Sequence, residues 1–392
     1  MNPQQFLEEM KKIQENLLDY LDDESNVDEN LQSLYRLFEE LKIHTDQHKL
    51  MSLLHLIVKI GNNHHRNPNF FEKIFKVLKI FQDDIKKYYS NTEIFNTFKS
   101  NKRILLFLLE EKLMIIDEYI TKKIITGKYV TANYPQFFLP EIQPFKNEKW
   151  FPKNDNNNTN KWIDEVIKGE LPEHFYENRK TGENESFICQ LIRNDSVEEF
   201  IAYINKNIIS PNSKLKPSIY ETNKFLIKKQ SESNNSSFSF GPKKNNDYQL
   251  SLIEYATFFG SIQIIRYLEM NGVDLTPSLW QFAIHGKNAD IIHRLEEIQK
   301  DVSPDDPYAE CLKESIKCHH NDIANYIQNN LINKDNSQEN FTQSLKNYNF
   351  SFIQIDLIND ASYFDICKYG YYLIASYIVK TYDIDINKIF SK

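Results

Sequence analysis

The strongest restriction on what this chain can fold into is a helix-pair unit that recurs through its second half. The clearest copy runs from Ser251 to Thr276 (SLIEYATFFGSIQIIRYLEMNGVDLT). A small residue, Ala256, stands four before Gly260, then Ile264, Ile265 and Leu268 follow at helical spacing, and Asn271-Gly272 closes the unit. A small side chain lets a short helix pack closely, glycine supplies the turn, and the next apolar residues form one face of a returning helix. The same template falls on Ile192 (Ser196, Phe200, Ile201, Ile204) and on Ala283 (Ile291, Ile292, Leu295). It falls again on Ser315 (Ile323, Ala324, Ile327) and on Ile366 (Gly370, Ile374, Ala375, Ile378). Five copies in order predict a stacked array, because one helix pair cannot bury its apolar faces alone. The copies are unevenly spaced: 64 residues from Ile192 to Ala256, then 27, 32 and 51. A further degenerate copy around Ser218 to Lys229 is expected to fill the first gap. The Ser/Asn-rich stretch near 230–247 and a second near 333–340 are expected to be mobile insertions.

The first third of the chain is helical by the same criterion. Phe6, Met10, Ile13, Leu17 and Leu21 form one apolar stripe, and Pro3 stands where a helix tolerates a missing N–H. Further stripes follow through Leu31 to Leu41, Leu50 to Val58, Phe71 to Ile85 and Ile104 to Ile125. Only 9 glycines occur in 392 residues, too few for folds that depend on glycine turns and phosphate loops. Between 128 and 160 the pattern breaks. Pro135, Pro140, Pro144 and Pro152 punctuate an aromatic stretch that includes Phe137, Phe138, Trp150 and Phe151. The expected division is therefore an N-terminal helical domain at 1–127, a Pro/aromatic connector at 128–160 and a repeat domain at 161–392.

The unit resembles the ankyrin repeat, and the whole chain is similar to the divergent ankyrin-repeat proteins of trichomonad parasites. Those proteins carry a helical region of unknown function ahead of their repeats. The resemblance rests on 91–117 (NTEIFNTFKSNKRILLFLLEEKLMIID), 176–193 (YENRKTGENESFICQLIR), 217–227 (PSIYETNKFLI), 251–268 and 314–326 (ESIKCHHNDIANY). It implies an all-α chain, a helical domain followed by a degenerate ankyrin-repeat solenoid. It implies protein binding, and no activity, cofactor or catalytic residue. The chain departs from the ankyrin pattern where Thr-Pro-Leu-His would precede the first helix; Ser251-Leu252-Ile253-Glu254 stands there.

The expected role is thus a non-enzymatic interaction or scaffold module whose partner is another protein. In ankyrin-like units the two residues before the turn face a concave groove. The template puts Asn194 and Asp195, Phe258 and Phe259, His285 and Gly286, Lys317 and Cys318, and Lys368 and Tyr369 there, with Trp280 beside Phe258 and Phe259. Exposed aromatics ringed by polar groups are the usual anchors of a protein interface. Two other roles stay open: a structural part of a cytoskeletal assembly, and an enzyme or zinc-regulated protein with a site at the domain junction.

Other chemistry finds little support. No phosphate loop, dinucleotide fingerprint or nucleophile elbow occurs. His44 and His48 are four apart, with His55 beyond, but Thr45, Asp46 and Gln47 lie between the first two, so the glutamate of a metalloprotease helix is missing. Cys318-His319-His320, with Cys311 upstream, is the most metal-like cluster, yet neighbours on a helix point in different directions. His319 also takes the turn position of Gly260. No metal, catalytic residue or cofactor is therefore expected. The acidic pairs Asp22-Asp23, Glu110-Glu111 and Glu198-Glu199 read as solvated faces. Net charge is −8, which disfavours nucleic acid; Lys86-Lys87 before Tyr88-Tyr89 reads as a cationic helix end. The four cysteines show no paired spacing, the start MNPQQFLEEMKK has no apolar leader, and the longest apolar block, Ile104 to Leu109, is too short to span a bilayer. A cytoplasmic location without membrane insertion is expected.

Overall fold

Several helices begin at side chains that satisfy their first free N–H groups. In a computed structural model, which describes residues 2–67, 69–126, 133–152, 164, 168–231, 249–299, 308–332 and 337–382, Asn2 caps the helix Pro3–Asp22 by accepting from Gln4 N at 3.0 Å. Asp46 caps Gln47–Asn63 by accepting from His48 N and Lys49 N. Ser251 and Glu254 form a reciprocal capping box at the start of Leu252–Phe259: Glu254 accepts from Ser251 N at 2.7 Å while Ser251 Oγ accepts from Glu254 N. The described residues are all-helical and contain no strand, only a single bridge between Lys214 and Ser251.

All five template segments form helix hairpins. They are Phe187–Arg193 with Val197–Lys206, Leu252–Phe259 with Ile262–Met270, Trp280–Gly286 with Ala289–Gln299, Tyr308–Cys318 with Asn321–Asn330, and Tyr363–Lys368 with Tyr372–Tyr382. Each turn contains one left-handed residue: Asp195 (φ 48°), Gly260 (69°), Lys287 (49°), His319 (60°) and Gly370 (81°). Four of these stand where the template places the turn. The first is one residue early, at Asp195 and not Ser196. The hydrogen bonds show why: Ser196 N donates to Leu191 O at 3.0 Å, the equivalent of Ser261 N to Ala256 O at 2.9 Å, so Leu191 holds the place assigned to Ile192. Asp195 accepts this strained geometry and its carboxylate receives Gln263 N and Ile264 N, both at 3.0 Å, at the start of the next hairpin's second helix.

The chain separates into two compact units, Met1–Asp84 with Ala283–Lys392, and Ile85–Phe282. The cuts fall inside the helices Gln82–Tyr88 and Trp280–Gly286, not in the 128–160 segment. The described part of that segment, 133–152, forms the short turns Tyr134–Phe137, Leu139–Ile142 and Gln143–Phe145 and buries Phe137, Phe138 and Phe151 within the second unit. The rest of that segment's polar tract, 153–160, lies outside the described residues, as do 232–248 and 333–336.

Within the unit Ile85–Phe282, hairpins stack first helix on first helix and second on second. Phe187–Arg193 packs on Leu252–Phe259, and Val197–Lys206 on Ile262–Met270. Ser261 Oγ donates to Ile192 O at 2.6 Å across that interface. The degenerate copy expected near Ser218 yields one helix, Lys224–Ser231, whose Phe225 stacks on Phe258 at 6.0 Å.

Within the other unit, the apolar stripe of Pro3–Asp22 is buried as its spacing predicts, against Val27–Glu40, Phe70–Ile80, the turn Phe350–Phe352 and Tyr372–Tyr382. The expected insertion at 333–340 is corrected here. From Ser337 the chain is a helix, Ser337–Asn347, which buries Phe341 and Leu345 and packs on Tyr308–Cys318. It ends at the left-handed Tyr348 (φ 56°), with Asn349 N bonded to Ser344 O, so it is a sixth first helix hidden in the 51-residue interval. Asn349 is its stacking contact. Its amide donates to Ile316 O at 2.9 Å and Asn321 Oδ1 at 2.8 Å, and accepts from the buried Gln14 at 2.8 Å.

Candidate functional site

Phe258, Trp280 and His285 are buried, which corrects their assignment as outward-facing anchors. Phe258 faces inward because Phe225 and the neighbouring helix supply an aromatic pocket for it. Phe259 is half-buried against Tyr255 and Phe258. Asn194 is exposed and Asp195 is occupied by its capping bonds. Lys317 is half-buried and paired with Glu314 at 2.7 Å.

In the last hairpin both pre-turn residues reach the surface. Lys368 is exposed and Tyr369 half-buried, and the Lys368 ammonium lies 5.2 Å from the Tyr369 ring and 5.9 Å from the Phe364 ring. Phe364 is 55 % exposed and Tyr372, just past the turn, 60 % exposed. A cation among open aromatic rings is a ready contact for an apolar and acidic surface.

The densest chemistry lies elsewhere, in the unit made of Met1–Asp84 and Ala283–Lys392. His64 caps the helix Gln47–Asn63, His65 follows it, and His320 follows the turn of the hairpin built on Tyr308–Cys318. One ligand atom from each lies within 4.8 Å of the others. His64 Nδ1 is 2.9 Å from Cys318 O, and its Nε2 is 2.7 Å from Asp22 Oδ1. His65 Nε2 is 3.7 Å from the same Oδ1, and Lys287 Nζ donates to Asp22 Oδ2 at 2.9 Å. Asp22, expected on a solvated face, is thus drawn into the interior. Its carboxyl is held well below the usual range by the His64 hydrogen bond and the nearby cations, against the opposing effect of burial.

A second group adjoins it: His285, Glu314 and Cys318. Here the donors answer one another. His285 Nε2 meets Glu314 Oε1 at 2.8 Å, which also accepts from Lys317 at 2.7 Å, and Cys318 Sγ lies 3.6 Å from the His285 ring. Burial raises the Cys318 thiol far above its ordinary range, and Glu314 pushes the same way, so the sulfur is protonated and not a ready nucleophile. Cys311 and His319 belong to neither group. His44 and His48 do not share a helix: His44 sits in the turn Ile43–Thr45 against Asp84, and His48 is exposed in the first turn of the next helix.

In the unit Ile85–Phe282 the notable buried group is Lys102. It donates to Ile219 O at 3.2 Å and lies 4.9 Å from the Phe137 ring. Burial brings its ammonium down to about 7, against the pull of Glu221.

Sequence reasoning missed His64, His65 and Asp22. The doublet His64-His65 at a helix end was a visible signal, but its partner His320 is remote in sequence. No helix of the described residues is long and apolar enough to cross a membrane. No protein-family model matches the chain, and comparison with curated proteins and with solved structures gave no match.

Proposed function

We propose that this chain is a non-enzymatic protein-binding module of the cytoplasm, built from degenerate repeats of ankyrin type. Five hairpins with one left-handed turn residue each support that reading, as do the side-chain bonds from Ser261 and Asn349 to the preceding hairpin. The observation that carries the binding role is the open surface of the last hairpin, where Phe364, Lys368, Tyr369 and Tyr372 stand together. Its chemistry fits a partner segment with an acidic side chain beside an apolar one. The negative balance of the chain favours a protein over nucleic acid.

Affinity purification from the native cell tests this, with the wild-type chain against a Phe364→Ser/Lys368→Glu variant of unchanged circular dichroism and melting temperature. Loss of the wild-type partners from the variant is the expected result. An unchanged set of partners overturns the assignment of this surface.

A further inference from the structure

We propose that His64, His65 and His320, with Asp22 against the first two, form a binding site for one divalent transition-metal ion of the zinc class. The argument begins at His64. A backbone carbonyl only accepts, so the nitrogen facing Cys318 O carries the ring hydrogen. That fixes the tautomer in which Nε2 is a lone-pair donor. Nε2 then stands 2.7 Å from a carboxylate oxygen, which is also a lone-pair donor. Two such atoms in contact must share a cation.

A proton would suffice for that pair alone, but not for its neighbours. His320 is wholly buried, and neither of its ring nitrogens has a hydrogen-bond partner among the described residues. Its ring lies 4.7 Å from the His64 ring and 5.4 Å from the His65 ring. A buried polar ring without a partner costs on the order of 1–3 kcal/mol, which a metal bond removes. Nε2 of His65 faces the same Asp22 oxygen at 3.7 Å. In a tetrahedral zinc site neighbouring donor atoms are about 3.3 Å apart. The distances of 2.7 and 3.7 Å bracket that value.

The surroundings are those of a built site. Lys287 holds Asp22 Oδ2, which turns Oδ1 toward the histidines, and Cys318 O orients His64. Three imidazoles and one carboxylate suit zinc, and also cobalt, nickel and copper, but not calcium or magnesium. The neighbouring His285, Glu314 and Cys318 are not the site, because Lys317 and His285 already occupy the carboxylate. Asp22 and the three histidines come from the end of Pro3–Asp22, the end of Gln47–Asn63 and the turn after Tyr308–Cys318. The ion would therefore fasten the N-terminal helices to the C-terminal hairpins of the same unit.

The full chain, stripped with a chelator and returned to zinc, is expected to hold one equivalent by elemental analysis and to melt at a higher temperature than the stripped form. His65→Ala and His320→Ala are each expected to weaken zinc binding roughly tenfold or more, while the exposed His48→Ala leaves it unchanged. Cobalt in place of zinc is expected to give the visible bands of four-coordinate Co2+ without a thiolate charge-transfer band. That spectrum needs only the wild-type chain, so it decides the matter even if a variant fails to fold. A thiolate band overturns the assignment in favour of Cys318. No binding by the folded, stripped chain with metal in excess, or unchanged binding by folded His65→Ala, overturns it outright.

Discussion

The two units bury polar groups in different ways. Nine of the ten histidines lie in the unit made of Met1–Asp84 and Ala283–Lys392; the tenth, His174, is exposed in Ile85–Phe282. The histidine-rich unit also buries amides, Gln14 and Asn349, which bond to one another. Both units also bury cationic side chains, Lys49 and Lys73 in the histidine-rich unit and Arg179 and Lys102 in Ile85–Phe282. Arg179 is paired with Glu141 at 2.8 Å, and Lys102 is set against a carbonyl and aromatic rings. The difference is instructive because a buried charge must be answered within the fold at once. A neutral imidazole is inexpensive enough to bury with a nitrogen still open.

This contrast can be broken most forcefully at Asn349. Asn349→Ala leaves Gln14 and Ile316 O without their partner and is expected to cost about 3–4 kcal/mol in chemical denaturation. A loss under about 1 kcal/mol would mean that the amide network does not hold its unit together. Lys102 comes next. It is neutral in the folded chain above about 7, but charged in the unfolded chain up to its ordinary range. The unfolded chain therefore carries the extra proton between those limits, and stability should rise by roughly 3 kcal/mol between about pH 7 and about pH 9.5. Lys102→Met should abolish the rise, as read by hydrogen exchange in peptides of Ile85–Phe282. The histidine-rich unit should respond in a lower window. Burial, helped by Lys59, brings His55 down to about 4. Its contribution is full above the ordinary histidine range and is lost as pH falls toward 4, roughly 3 kcal/mol, and His55→Phe should flatten that part of the profile. Ser261→Ala, which removes one bond between hairpins, should cost about 1 kcal/mol. Phe364→Ser with Lys368→Glu should change stability by under about 0.5 kcal/mol, since neither side chain is packed.

Much of the architecture could be read before the structure was seen. Apolar periodicity located the N-terminal helices, and the turn template found the five hairpins because a left-handed residue and the apolar positions after it keep a fixed spacing. It slipped by one at Asp195, where Leu191 and Ile192 are both apolar and either fits. It passed over Ser337–Asn347, whose composition is polar apart from Phe341 and Leu345. Exposure was read correctly at Lys368 and wrongly at Phe258, Trp280 and His285, which are buried. Position in a repeat says which way a backbone faces, but not what a neighbouring segment such as Phe225 brings to cover it. The histidine group was the least legible part. His64 and Cys318 are 254 residues apart, and Asp22 looked like half of an ordinary acidic pair. No local spacing encodes a meeting of three distant segments.

The discontinuity of the first unit bears on how the molecule is made. Helices such as Pro3–Asp22 leave the ribosome well before Ala283 and the hairpins that cover them. All the residues of Ile85–Phe282 emerge in the interval, so that unit has its full complement of partners first. The entropy of closing the long loop between the two halves of the other unit grows only slowly with length, and folding of the intervening unit shortens the loop further. Until translation reaches the last hairpins, the stripe through Phe6, Met10 and Ile13 lacks part of its cover. The nascent chain is then at its most exposed to aggregation and most in need of a chaperone.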